Sequence, residues 1–421
     1  MSFRTCLLSA AVTALLCVAV FGVKVRYEGY KVYRVTPLTE EHVAILKTLQ
    51  EERLSFWHGP SDKINQPSDI MFAPHQLHFL EGVQAAGLTV QEYISDIQTL
   101  MNDEKVSTLQ NGEISWDSYY RLADIHAWLE AQAASHSDIA NTFVIGKSTE
   151  GRDLLALNIS KSGGGTKPVI FLDANIHARE WITSAVATYI VNELLNSEDS
   201  EIQSWTEDFD WIVLPVLNPD GLEYSHETDR MWRKTRSVSN TSTCRGVDGN
   251  RNYDYFWFTG GSSSNPCSET HAGVTAFSEP ETKSHSDFIN TIAHRMPFYV
   301  SLHSYGQWIL IPFGHNNDRI PQYNTFLRIG QAAAEAHAKR NGTVFTPGNV
   351  VDLLYVASGE TFDWVKGVHN TNLTYIYELR DKGRYGFLLP PAQIVDTAEE
   401  FKDGLQVIIN ELRNGIPSVD P

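Results

Sequence analysis

The chain has 421 residues, of which 42% are hydrophobic, and a formal net charge of −18. That length calls for two or three folded units, and the apolar fraction supports a large packed core and excludes wholesale disorder. The acidic balance argues against nucleic acid or an anionic membrane surface as a partner.

Residues 1–22 read as a secretory signal. Arg4 is its charged start and Leu7 to Phe21 its apolar core. Val20 and Gly22 offer a small-residue cleavage pattern, with Ala19 as a competing site. The competing reading of this stretch is a membrane anchor. The expectation is a secreted, extracellular protein with no membrane partner. Cys6 and Cys17 lie inside the signal, which leaves Cys244 and Cys267. In a secreted chain two cysteines most simply form one disulfide. A cysteine nucleophile is disfavoured, because oxidation would silence it.

Residues 23–105 form a first compact unit. Alternating apolar positions predict a strand over Val25 to Val35. Thr39 to Trp57 reads as a helix capped near Thr39, with Glu40 and Glu41 in its first turn. Asp69 to Ala73 is a short strand, His75 to Ala86 a second helix, and Val90 to Met101 a third. Strands mixed with helices at this length predict a small α+β open sandwich. Asn102 to Glu113, with Asn111-Gly112 as a turn signal, reads as a linker.

The larger unit, taken as 106–421, begins with a helix over Trp116 to Ala134. Pro168 to Ile176 is almost wholly apolar, as a strand buried on both faces is. Trp181 to Leu195 is helical, and Trp211 to Leu217, Phe298 to Leu302 and Leu373 to Tyr377 are further apolar runs. Gly163 to Gly165 is a short glycine turn. Tyr323 to Arg340 and Ala392 to Arg413 are amphipathic helices. The alternation predicts an α/β fold with a mixed, mostly parallel sheet flanked by helices.

In such a sheet ligands bind beyond the C-terminal strand ends. His177-Ala178-Arg179-Glu180 directly follows Pro168 to Ile176. A His and a carboxylate three residues apart, on a turn entering a helix, can reach one point and hold zinc. The tetrapeptide alone reads equally as a surface turn. His303 ends another strand and is the natural third ligand, with one coordination position left for water.

Five segments then carry a resemblance: HAREW from His177, MWRKTR from Met231, GNRN from Gly249, SLHSYGQ from Ser301 and ELRDKGRYGF from Glu378. In this order and at about this spacing they resemble the carboxypeptidase A/B family of zinc exopeptidases, over roughly residues 115–415. The first unit resembles that family's activation segment. The resemblance implies one Zn2+ per chain on His177, Glu180 and His303, with Glu378 as general base and Arg233 stabilising the oxyanion. It implies that Arg251, with Asn250 beside it, clamps the terminal carboxylate, since a guanidinium matches a carboxylate through two hydrogen bonds. Tyr355 closes over the substrate, and Arg179 and Arg230 steer the peptide. Cys244 and Cys267 match the family's disulfide.

By the same resemblance, Val350, Leu354, Ala357, Phe362 and Ile376 build the specificity pocket, with Leu310 and Gly314 on its wall. Phe362 stands where basic-specific enzymes place an acid, which implies an A-like preference for apolar C-terminal residues. Glu360 leaves an alternative open, because a side chain turned into the pocket would attract Lys or Arg. The expected partners are a peptide or protein with a free C-terminus, an activating trypsin-like protease cutting at Lys105, and protein inhibitors. A catalytically inactive peptide-binding relative should lack a ligand, the base or the oxyanion arginine, and none is missing. Asn158, Asn240, Asn341 and Asn372 are candidate glycosylation sites.

Overall fold

A computed structural model describes residues 24–52, 54–161 and 165–420. The expected signal, with Cys6 and Cys17, and most of the glycine turn lie outside the described residues.

The first unit is a four-stranded antiparallel sheet with helices. Its strands Lys31–Thr36, Ser55–His58, Ser68–Phe72 and Thr89–Ile94 lie in the order second, third, first, fourth. The helix Glu40–Glu51 begins where expected, with the Thr39 side chain accepting from the His42 N–H. It stops earlier than expected. Ser55–His58 instead becomes an edge strand on Ser68–Phe72, with Phe56 and Trp57 buried. The expected helix over Val90 to Met101 is also corrected. Thr89–Ile94 pairs antiparallel with Lys31–Thr36, and a helix follows over Ile97–Asp103, capped by Asp96. Backbone pairing to the two central strands decides both segments, where local pattern alone favours helix.

The second unit is built on an eight-stranded mixed sheet. Running across it, the strands are Thr346–Asn349, Trp308–Ile311, Leu373–Leu379, Phe298–Ser304, Val169–Ala174, Asp210–Leu214, Asp153–Ile159 and Ala140–Lys147. Four of its pairings are parallel, including all those among Leu373–Leu379, Phe298–Ser304, Val169–Ala174 and Asp210–Leu214. The helices Trp181–Asn196, Tyr323–Asn341 and Ile394–Asn414 bury their apolar faces on one side of it. A second apolar cluster, including Phe171, Tyr299, Phe362 and Ile376, fills the other side. The expected helix from Trp116 starts only at Leu122, because Tyr119–Tyr120 pairs with Val106–Ser107. Cys244 and Cys267 form the disulfide. Among the described residues, no helix is long and apolar enough to cross a membrane.

Candidate metal centre and its cleft

The three adjacent parallel strands deliver the site. Their register pairs Leu302 with Ala174 and His303 with Glu378, so all three chains leave the same sheet edge side by side. After Ala174, Asn175 takes a left-handed conformation (φ 58°) and turns the backbone into the segment carrying His177 and Glu180. The turn is held where Asn175 N–H donates to the Thr183 hydroxyl at 3.0 Å.

His177, Glu180 and His303 are all buried, and their ligand atoms lie within 4.8 Å of one another. His177 Nδ1 is 2.8 Å from Glu180 Oε1 and 3.1 Å from His303 Nδ1. The other His177 nitrogen, Nε2, is 3.1 Å from Asp248 Oδ1. A proton on Nε2, held by Asp248, leaves the Nδ1 lone pair facing the cluster. Two imidazoles and a carboxylate converging with open space beyond them fit a catalytic zinc.

Asp248 was not singled out in the sequence. Its signal is weak: it directly precedes Gly249–Arg251, and its side chain accepts from the Asn250 N–H. Arg233 Nη2 donates to Asp248 Oδ2 at 2.9 Å, and its Nη1 lies 3.8 Å from Glu180 Oε1. Burial works against the Asp248 charge, but Arg233 and His177 hold its carboxyl well below the usual range.

The cluster opens into a cleft with about 530 Å³ of empty space. Arg233, Asn250, Arg251, Leu310, Val350, Leu354, Tyr355, Ile376 and Glu378 line it, together with Glu360. Burial, with the Glu180 carboxylate nearby, raises Glu378 well above the usual carboxyl range, against Arg233 and Arg251. Gly314 adjoins the cleft through its contacts with Val350 and Glu360, and its carbonyl accepts from the Ala357 N–H at 2.8 Å. Of the expected pocket residues, Gly314, Ala357 and Phe362 are not themselves among the cleft-lining side chains; Phe362 is fully buried in the apolar cluster that also holds Leu310, Val350, Leu354 and Ile376. As N-cap of Thr361–His369, Glu360 leaves the helix start in an extended conformation and lines the cleft.

Arg179 and Arg230 lie deeper than surface steering residues would. Arg179 bonds Glu269 at 3.0 Å, and Arg230 stacks on Trp181 and donates to Glu104 at 2.7 and 2.8 Å. Glu104 belongs to the first unit, which covers the cleft. Trp57 packs on Phe387 and Tyr305, and His58 lies against Trp308 and Tyr355. Burial lowers His58 to about 4, so a neutral ring sits over the cleft. Arg34 bonds Asp69 twice at 2.7 Å, and Asp69 accepts from the Tyr305 hydroxyl at 2.9 Å. Lys63 donates to the carbonyls of Val351 and Asp352, and Gln66 donates to that of Leu353.

Residues 125–404 match the zinc carboxypeptidase family model, and residues 33–104 match that of the carboxypeptidase activation peptide. Zinc carboxypeptidase A 1 of Anopheles gambiae is 37% identical over 92% of this chain and 90% of its own. A zinc carboxypeptidase of Simulium vittatum is 44% identical over 70% of this chain and 97% of its own. The crystal structure of carboxypeptidase A from Helicoverpa armigera superposes with a TM-score of 0.83 at 28% identity, covering 91% of this chain and 97% of that one. The converging ligands, the mixed sheet behind them and the covering first unit agree with these matches: the chain belongs to the zinc carboxypeptidase family and carries that family's activation peptide.

Proposed function

We propose that this chain, once its first unit is released, removes single residues from the free C-terminus of peptides and proteins, with an A-like preference for apolar residues. The observation that carries this reading is the convergence of His177, Glu180, His303, Glu378, Arg233 and Arg251 on one cleft.

His177, Glu180 and His303 hold the zinc, which supplies Lewis-acid activation of water and of the scissile carbonyl. Glu378 takes the water's proton and returns it to the leaving amine. Arg233, fixed by Asp248, stands ready for the negative charge of the tetrahedral oxyanion. Arg251 and Asn250 receive the terminal carboxylate, and Tyr355 covers it. Leu310, Val350, Leu354 and Ile376 receive the terminal side chain, with Gly314 and Ala357 behind them. Release of the first unit would free Arg230 from Glu104, and Arg230 with Arg179 would then steer the peptide.

The domain reading is a signal over 1–22, an activation unit over 23–105 and a catalytic unit over 106–421. A trypsin-like protease is the natural activator, and the protein is secreted to the extracellular space. Protein inhibitors fit the same cleft. Bovine thrombin-activatable fibrinolysis inhibitor, 31% identical to this chain, has been seen in complex with tick carboxypeptidase inhibitor.

The test is trypsin activation followed by matched peptides ending in Phe, Leu and Arg. Faster release of Phe or Leu than of Arg is expected, and no release from the same peptides with an amidated C-terminus. Faster Arg release overturns the A-like preference; cleavage of amidated peptides overturns the exopeptidase reading. Metal analysis should give one zinc per chain. Asp248→Asn should weaken zinc binding by about 10–100-fold, measured by chelator competition, since the bond to His177 Nε2 loses its charge. His303→Ala removes a ligand outright and should weaken it further.

A further inference from the structure

The apolar-pocket reading leaves one carboxyl in the cleft without a task. Glu360 is 4% exposed and shares its wall with Leu310, Val350, Leu354 and Ile376. Its Oε1 is 3.5 Å from Arg251 Nη1 and 3.5 Å from Asn250 Nδ2, both long contacts. Its Oε2 is buried and has no hydrogen-bond partner. That oxygen points at the bare backbone of Gly314, where an added Cβ would lie 2.1 Å away. A buried carboxyl oxygen without a partner is costly and is found where a ligand supplies one.

We propose that Glu360 is a specificity-determining residue, whose carboxyl partners the cationic tip of a C-terminal Lys or Arg and so adds a second class of terminal residue to the apolar ones. This rests on the carboxypeptidase reading above. The stem of a lysine or arginine is apolar and suits Leu310, Val350, Leu354 and Ile376, while its tip meets Oε2. The groups around Glu360 explain how one pocket serves both classes. Burial pushes its carboxyl well above the usual range; Arg251 opposes this, and Asp363, Asp248 and Glu378 add to it. Tyr355 also faces it and, with its own pKa raised by burial, stays neutral. Burial thus works against charge on Glu360 in the empty pocket, which suits an apolar side chain. An entering ammonium or guanidinium favours the carboxylate, and the proton leaves to solvent.

The experiment measures kcat/KM of the activated enzyme for matched peptides ending in Leu, Lys and Arg, in wild type, Glu360→Gln and Glu360→Asp. Wild type is expected to release Lys and Arg measurably beside Leu. Glu360→Gln, nearly isosteric but unable to ionise, should lower the Lys/Leu ratio by roughly 30-fold or more, chiefly through KM. Glu360→Asp keeps the charge and should retain part of the ratio. Absence of Lys and Arg release by a wild type that releases Leu overturns the proposal. So does a Lys/Leu ratio unmoved in Glu360→Gln. Failure of wild type to release Leu as well speaks against the carboxypeptidase reading itself.

Discussion

Glu378→Gln should keep its zinc and lose turnover by about 10²–10⁴-fold, the usual range for a general acid–base group. The glutamine has nearly the same shape, so the cleft should survive, but its amide accepts no proton from water. Glu378 is not in the cluster of His177, Glu180 and His303, so metal content should stay near one zinc per chain. The two readouts together separate a proton-transfer role from a metal-binding one. A variant that turns over at the wild-type rate would remove Glu378 from the mechanism. One that loses zinc would make it part of the metal site.

The second large effect concerns release of the first unit. Lys105 is exposed and paired only loosely with Asp117, both side chains being more than half accessible. No lysine or arginine lies between it and Lys63 upstream or Arg121 downstream. Lys63 is held against the carbonyls of Val351 and Asp352, and Arg121 is engaged by Glu223 and Glu227. Lys105→Ala should therefore slow trypsin activation by at least about 100-fold, because the protease's pocket loses its charged partner. N-terminal sequencing of the wild-type product should begin at Val106. Rapid activation of the variant, with a mature N-terminus elsewhere, would overturn the site.

Much of the catalytic arrangement was legible because it depends on where strands end. An apolar run followed at once by His177-Ala178-Arg179-Glu180, and another closing on His303, locate a sheet edge without any knowledge of the rest of the fold. Ser55–His58 and Thr89–Ile94 were not legible, because their strand character comes from neighbours in the sheet and not from local periodicity. Asp248 was missed because a lone aspartate before a turn is an ordinary cap; only its 3.1 Å approach to a ligand's second nitrogen gives it meaning. The place of Glu360 in the cleft was not legible either. Residues two apart at a helix start face different ways, and which of them enters a cleft depends on the angle at which that helix meets the sheet.

The ion pair between Glu104 and Arg230 bears on what happens after the chain is cut. Both side chains are almost wholly inaccessible, 4% and 1%, and Glu104 is the residue just before Lys105. A break after Lys105 leaves that pair on the departing side intact, along with the contacts of Arg34, Trp57 and Lys63. Scission and unblocking are thus separate events. A segment severed there and still holding these contacts would act as a separate inhibitor of the enzyme it covers, with an occupancy set by concentration.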